Sequence, residues 1–73
     1  MIAHLNFNEL LQVVQNSGGV ELTAGAWSQE QRVQLASNAA QSGARLVFHG
    51  SNAMSQADML QVARNGKGSV VFA

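Results

Sequence analysis

The chain has no cysteine and no proline, and only 11% of its 73 residues are charged. Without cysteine, neither a disulfide nor a thiolate metal site can staple so small a fold. An excess of either charge is missing too: Arg32, Arg45, Arg64 and Lys67 balance Glu9, Glu21, Glu30 and Asp58 to a formal net charge of +0. No net field therefore draws nucleic acid, anionic lipid or a charged substrate. No apolar run approaches the roughly 18 residues of a membrane span. The start, Met1-Ile2-Ala3-His4-Leu5-Asn6, lacks the basic and apolar regions of a secretory signal. These absences make the cytoplasm the expected compartment.

What is present is 47% apolar residues. Surface scaling gives about 4,300 Å² for the folded form against about 11,000 Å² for the extended chain, so about 60% of the surface is buried on folding. That supports a single domain, residues 1–73, with a small core and a thin stability margin. A second chain would widen the margin. The Met1 start favours a whole protein over a piece of a longer array.

The chain repeats itself. Leu5-Asn6-Phe7-Asn8-Glu9-Leu10-Leu11-Gln12-Val13-Val14-Gln15-Asn16 aligns without gaps on Met54-Ser55-Gln56-Ala57-Asp58-Met59-Leu60-Gln61-Val62-Ala63-Arg64-Asn65, and the stretch from Trp27 to Asn38 follows the same template. Each copy opens like a helix. Asn6, Ser28 and Ser55 suit the N-cap, and Glu9, Gln31 and Asp58 stand three residues on, where a side chain reaches back to the cap's own N–H. Leu5 with Leu10 and Met54 with Met59 occupy staple positions, whereas Trp27 faces Arg32 and would stack on its stem. Apolar stripes at 10, 11, 13 and 14, at 33, 35, 36, 39 and 40, and at 59, 60, 62 and 63 predict three amphipathic helices. Each helix is expected to end near glycine, with Ser17-Gly18-Gly19, Ser42-Gly43 and Gly66-Lys67-Gly68 supplying the left-handed stops and the second helix the longest.

After each stop comes a β-branched or aromatic run: Val20 to Ala24, Arg45 to His49, and Val70 to Ala73. The fold class is therefore α/β. Three αβ repeats predict a three-stranded parallel sheet in sequential order with the helices on one face, a small solenoid-like domain of two layers. The period resembles that of leucine-rich repeats, but their leucine signature is absent and nothing is carried over from them.

Parallel sheets are normally covered on both faces. Here Val20, Leu22, Leu46 and Phe48 alternate with Glu21, Thr23, Val47 and His49, which leaves a mixed outer face on which Glu21 and Arg45 are expected to pair. The last strand is apolar throughout and is expected at an edge, where uncharged, bulge-free strands are usually capped by another chain. The leading functional expectation is a non-enzymatic protein-interaction or assembly module. It would self-associate as a homodimer or larger assembly, or dock to another protein, through Val47, Val70, Val71 and Phe72. Neither nucleic acid nor membrane is an expected partner.

The alternative is a small-ligand or anion binder. The loops after the first two strands run through Gly25 and Gly50 to helix N-termini, and would bring Trp27, Ser28, His49, Ser51 and Asn52 to one end of the sheet. The simpler reading of the same residues is structural, with glycine turning the chain, serine capping and Trp27 closing the core. No cofactor, metal site or catalytic residue is expected. His49-Gly50-Ser51 is no nucleophile elbow, no carboxylate is placed by sequence to orient His49, and His4 is expected at the other end of the fold. Gly66-Lys67-Gly68-Ser69 follows a helix instead of preceding one, unlike a phosphate loop. The recurring Gln12, Gln34 and Gln61, read at the core boundary, and Asn16, Asn38 and Asn65 suit a structural ladder, with a partner-gripping helix face as the second reading.

Overall fold

The computed structural model describes residues 6–73. The elements are α1 (Phe7–Gln15), β1 (Val20–Thr23), α2 (Gln29–Ser42), β2 (Leu46–His49), α3 (Gln56–Gly66) and β3 (Val70–Phe72). Single 3₁₀ turns, Ala24–Ala26 and Ser51–Ala53, follow β1 and β2. The strands are parallel in the order β1-β2-β3, with Val20 beside Leu46, Leu46 beside Val70, and Phe48 beside both Leu22 and Phe72. The helices form a second layer on one face of this sheet, α2 packing between α1 and α3. The architecture is the one the repeat predicts. His4 and Leu5, and with Leu5 the first staple, lie outside the described residues.

Helix starts follow from the caps. Asn6 Oδ1 accepts from Glu9 N at 2.9 Å and Glu9 Oε1 accepts from Asn6 N at 3.1 Å. Ser28 and Gln31 repeat this reciprocal pair at the head of α2, at 3.2 and 3.0 Å. At α3 only half the box closes: Ser55 Oγ accepts from Asp58 N at 3.1 Å, and the aspartate, one methylene shorter than glutamate, makes no return bond.

Each left-handed stop falls within its expected segment, but only at the end of α2 is the first left-handed residue a glycine. Gly43 is left-handed, with φ 81°, as a C-terminal glycine should be. In α1 the left-handed residue is Ser17, φ 70°, one position before Gly18. There the Ser17 hydroxyl donates to the Ser42 carbonyl while Ser42 Oγ donates to the Val14 carbonyl at 2.6 Å, so the ends of α1 and α2 tie each other down. In α3 the helix includes Gly66 and turns at Lys67, φ 48°. Gly66 serves another purpose, since a Cβ there would lie 2.5 Å from Val70 Cγ2 and 3.6 Å from Ala36 Cβ. Only a bare α-carbon lets α3 sit this close to β3.

The core lies between the layers. Leu10 and Val14 of α1, Leu35, Ala36 and Ala39 of α2 and Val62 of α3 close on Val20, Leu22, Leu46 and Phe48. The accessible surface, 4147 Å², is close to that expected for a folded chain of this mass. Two stripe positions are corrected. On α2 the buried face runs through Arg32, 8% exposed, whereas Val33 is only partly buried. Arg32 Nε donates to the Ala24 carbonyl at 2.9 Å and Nη1 to Gln29 Oε1 at 3.0 Å, which holds the turn after β1 onto α2. Trp27, expected on the Arg32 stem, has Phe7 as its ring partner, centroids 5.9 Å apart. On α3, Leu60 is the exposed large apolar residue, at 46%.

The repeat is written in hydrogen bonds. Asn16, Asn38 and Asn65 each donate Nδ2 to the backbone carbonyl four residues earlier, on Gln12, Gln34 and Gln61, at 2.8 Å in all three units. The asparagines therefore add a second donor to helix carbonyls that the backbone N–H four residues on already serves. The glutamine side chains, expected at the core boundary, are exposed. Rungs between helices come from Gln15 Nε2 to Asn38 Oδ1 at 3.2 Å and from Gln29 Nε2 to Gln61 Oε1 at 2.9 Å.

Candidate functional site

Alternation along the strands decides what the open face of the sheet carries. Val20, Leu22, Leu46 and Phe48 turn to the helices, so Glu21, Thr23, Val47, His49 and Val71 turn away from them. Val47 and Val71 are register partners and both are half-buried, forming an apolar pair in the middle of this face. Beside it His49 Nε2 donates to Glu21 Oε1 at 2.6 Å, across β1 and β2. The carboxylate can only accept, so the imidazole nitrogen facing it carries the proton.

This pair corrects two expectations. Glu21 closes on His49 and not on Arg45: the register sets Glu21 beside Val47, with Arg45 and His49 on its two diagonals, and His49 is the neighbour it bonds. His49 does have an orienting carboxylate, on a neighbouring strand, where a reading along the chain does not find it. The pair is wet, with side-chain exposures of 44% and 63%. An exposed pair of this kind contributes about 0–1 kcal/mol to stability.

At the edge of the sheet β3 departs from its neighbours. Val70 and Phe72 face the helices, as Leu46 and Phe48 do at the same register positions, yet they remain half-buried where Leu46 and Phe48 are 0% exposed. The Phe72 ring stacks on Phe48, centroids 6.2 Å apart and planes 22° apart, and among the described residues no helix beyond α3 covers its far side. The backbone follows the alternation of a parallel ladder. Leu46 N donates to the Ser69 carbonyl and Ala73 N to the Phe48 carbonyl, both at 2.8 Å, so residues 69, 71 and 73 face β2. Val70 and Phe72 thus direct their N–H and C=O groups away from β2, and among the described residues nothing pairs with them.

The flank of α3 above this edge is largely apolar, with the exposed Gln56 at its start. Gln61 and Asn65 line the groove toward α2, so helical phase sets Met59 and Ala63 on the opposite flank, with Leu60 at its margin. The four residues expected to form an interface therefore divide. Val47 and Val71 lie on the outer face, while Val70 and Phe72 lie on the helix side of the open edge.

The 3₁₀ turns after β1 and β2, which carry or flank the five residues of the alternative site, pack together. Their polar atoms are differently employed. Ser28 Oγ caps α2, Ser51 is buried with its hydroxyl donating to the Phe48 carbonyl at 2.8 Å, and His49 points across the sheet to Glu21. Asn52 is exposed on its turn, and Trp27 is half-buried against Phe7. Ser51 N donates to the Ala73 carbonyl at 3.2 Å, which fastens this loop to the end of β3.

A third feature was foreseen only as a second use of the repeated amides. Between α2 and α3 runs an open groove of about 360 Å³ lined by Gln29, Val33, Gln34, Asn38, Gln61 and Asn65. Its walls offer amide donors and acceptors, several of them already bonded to one another. Among the described residues no three His, Asp or Glu side chains gather to hold a metal, and no helix is long and apolar enough to cross a membrane. Comparisons with protein-family models, with curated proteins and with solved structures returned no match, which leaves side-chain geometry as the guide to function.

Proposed function

We propose that this chain is a non-enzymatic assembly module whose occupant at the β3 edge is a second copy of itself. The observation that carries the proposal is the half-bare β3: an apolar edge strand whose outward backbone groups lack partners and whose inner face lacks the cover that β1 and β2 have. Pairing supplies both, adding backbone hydrogen bonds and removing Val70, Phe72 and the Met59–Ala63 flank from water. The cytoplasm is the compartment this reading assumes, and no cofactor, nucleic acid or membrane enters it.

Charge favours a copy of the same chain. An interface formed about a two-fold axis sets each residue near its own image, so charged edges repel. Residues 69–73, Ser-Val-Val-Phe-Ala, carry no charged side chain, whereas β1 at the opposite edge carries Glu21. Size sets the strength. A standard interface of about 800 Å² per partner would take about a fifth of a 4147 Å² surface, more than one short strand and a helix flank provide. The association belongs to the weaker class, with a dissociation constant in the micromolar range or above.

Against catalysis stand the exposure of the His49–Glu21 pair and the engagement of the Ser51 hydroxyl, the nearest one along the chain, with a backbone carbonyl. Sedimentation velocity over a concentration series from micromolar to millimolar tests the proposal. A reversible monomer–dimer shift within that span is expected, and a single monomeric boundary up to millimolar protein would overturn it.

A further inference from the structure

The β3 edge fixes not only that two copies pair but in which register. We infer that two copies join antiparallel through β3 about a two-fold axis at Val71, so that Val70 pairs with Phe72 of the second copy, and Phe72 with its Val70, in one six-stranded sheet. This rests on the self-association proposed above and specifies it.

The backbone leaves little choice. In an antiparallel pair, residues that exchange both hydrogen bonds alternate with residues that exchange none. Only Val70 and Phe72 direct their backbone groups outward, and Val71 between them spends its own on β2. A two-fold axis through Val71 matches each outward residue with the other and forms four interchain hydrogen bonds. A slip by one residue would set the inward groups of Val71 against the outward groups of Val70 and satisfy none, so β3 admits no neighbouring register.

Side chains agree with this register. An axis perpendicular to the sheet keeps both helix layers on one side, so α3 and its image meet along the Met59–Ala63 flank. On the open face the two Val71 side chains form a close non-hydrogen-bonded pair, with Cβ atoms about 4.5–5.5 Å apart. With Val47 on either side they make a row of four valines. On the helix side Phe72 meets the image of Val70, covering two residues that are half-buried in the single chain. No charged residue is brought onto its own image within the strand.

The chain lacks cysteine, so a single introduced thiol reports on the register without background. Val71→Cys is expected to cross-link to a covalent dimer under oxidised glutathione, at least tenfold faster than Gln12→Cys, an exposed site on α1. Amide hydrogen exchange on the unmodified chain is the second measurement and needs no variant. As concentration rises through the sedimentation transition, the Val70 and Phe72 amides should gain at least tenfold protection while Val71 and Ala73, already bonded to β2, change little.

If the chain dimerises but the Val70 and Phe72 amides gain no protection, or Val71→Cys cross-links no faster than the control, the register is wrong while self-association stands, as for dimers joined through their sheet faces. If no dimer forms, both proposals fall.

Discussion

Replacing Gly66 by alanine should destabilise the protein, although alanine is the better helix former. The gain is about 1 kcal/mol in a helix interior and less here, because Gly66 is the last residue of α3. Against it stands a Cβ placed 2.5 Å from Val70 Cγ2, about 1 Å inside an ordinary carbon contact. Val70 cannot turn aside cheaply, since a β-branched side chain is stiff at χ1. Overpacking of this kind costs about 1–3 kcal/mol. The net expectation for Gly66→Ala is a loss of about 1 kcal/mol, equivalent to a fall of about 4–8 °C in Tm for a domain this small. The cause can be isolated. In a Val70→Ala background the offending methyl is gone, and Gly66→Ala should then stabilise by about 0.5 kcal/mol, a coupling of about 1.5 kcal/mol between two residues in contact. Urea unfolding followed by the fluorescence of Trp27, the only tryptophan, supplies all four corners of the cycle at dilution, where the chain is monomeric. A higher stability for Gly66→Ala alone, or additivity of the two substitutions, would refute the close approach of α3 to β3.

Arg32→Met keeps the apolar stem but leaves the Ala24 carbonyl with only the long 3.4 Å bond from Trp27 N and removes the bond to Gln29, and urea unfolding should register a loss of about 1–2 kcal/mol. Asn38→Ala should cost about 0.5 kcal/mol more than Asn65→Ala in the same assay, since both lose a bond to the carbonyl four residues earlier and only Asn38 also accepts from Gln15. Lys67→Gly should raise stability by up to about 1 kcal/mol, because glycine occupies a left-handed position without the clash a Cβ brings. Glu21→Gln should change thermal stability by less than about 1 kcal/mol and leave the sedimentation behaviour unaltered, as the His49 pair is exposed and stands away from the β3 edge.

Much of this fold could be read along the chain because its signals are local. The caps at Asn6, Ser28 and Ser55 name the helix starts, and the alternation in β1 and β2 names the face each residue takes. Misreadings arose where a residue's role is set across the structure. Arg32 interrupts an apolar stripe in sequence yet lies on the buried face, because its guanidinium finds a carbonyl in the turn after β1. Leu60 belongs to a stripe in sequence yet faces outward, because helical phase sets it well away from the buried line through Val62 and Gly66. Gly66 reads as a stop, and its actual use, contact with Val70, needs two elements to be placed first. The apolar edge strand was legible in its composition. Which of its residues direct backbone groups outward, and that Glu21 reaches His49, depend on the register between strands, which no single segment encodes.

The asparagine bond repeated in every unit ties each helix to itself, and contacts otherwise run to the adjoining unit, so stability accrues unit by unit from neighbour to neighbour. The middle unit is clasped from both sides. The first and last units, α1 with β1 and α3 with β3, are each clasped from one, which makes them the first to fray when the chain loosens. The surface best suited to meet another copy thus belongs to a lightly held unit, and a partner that grips it would act as a second clasp. Each chain in a pair would supply for the other what a fourth repeat would have supplied from within.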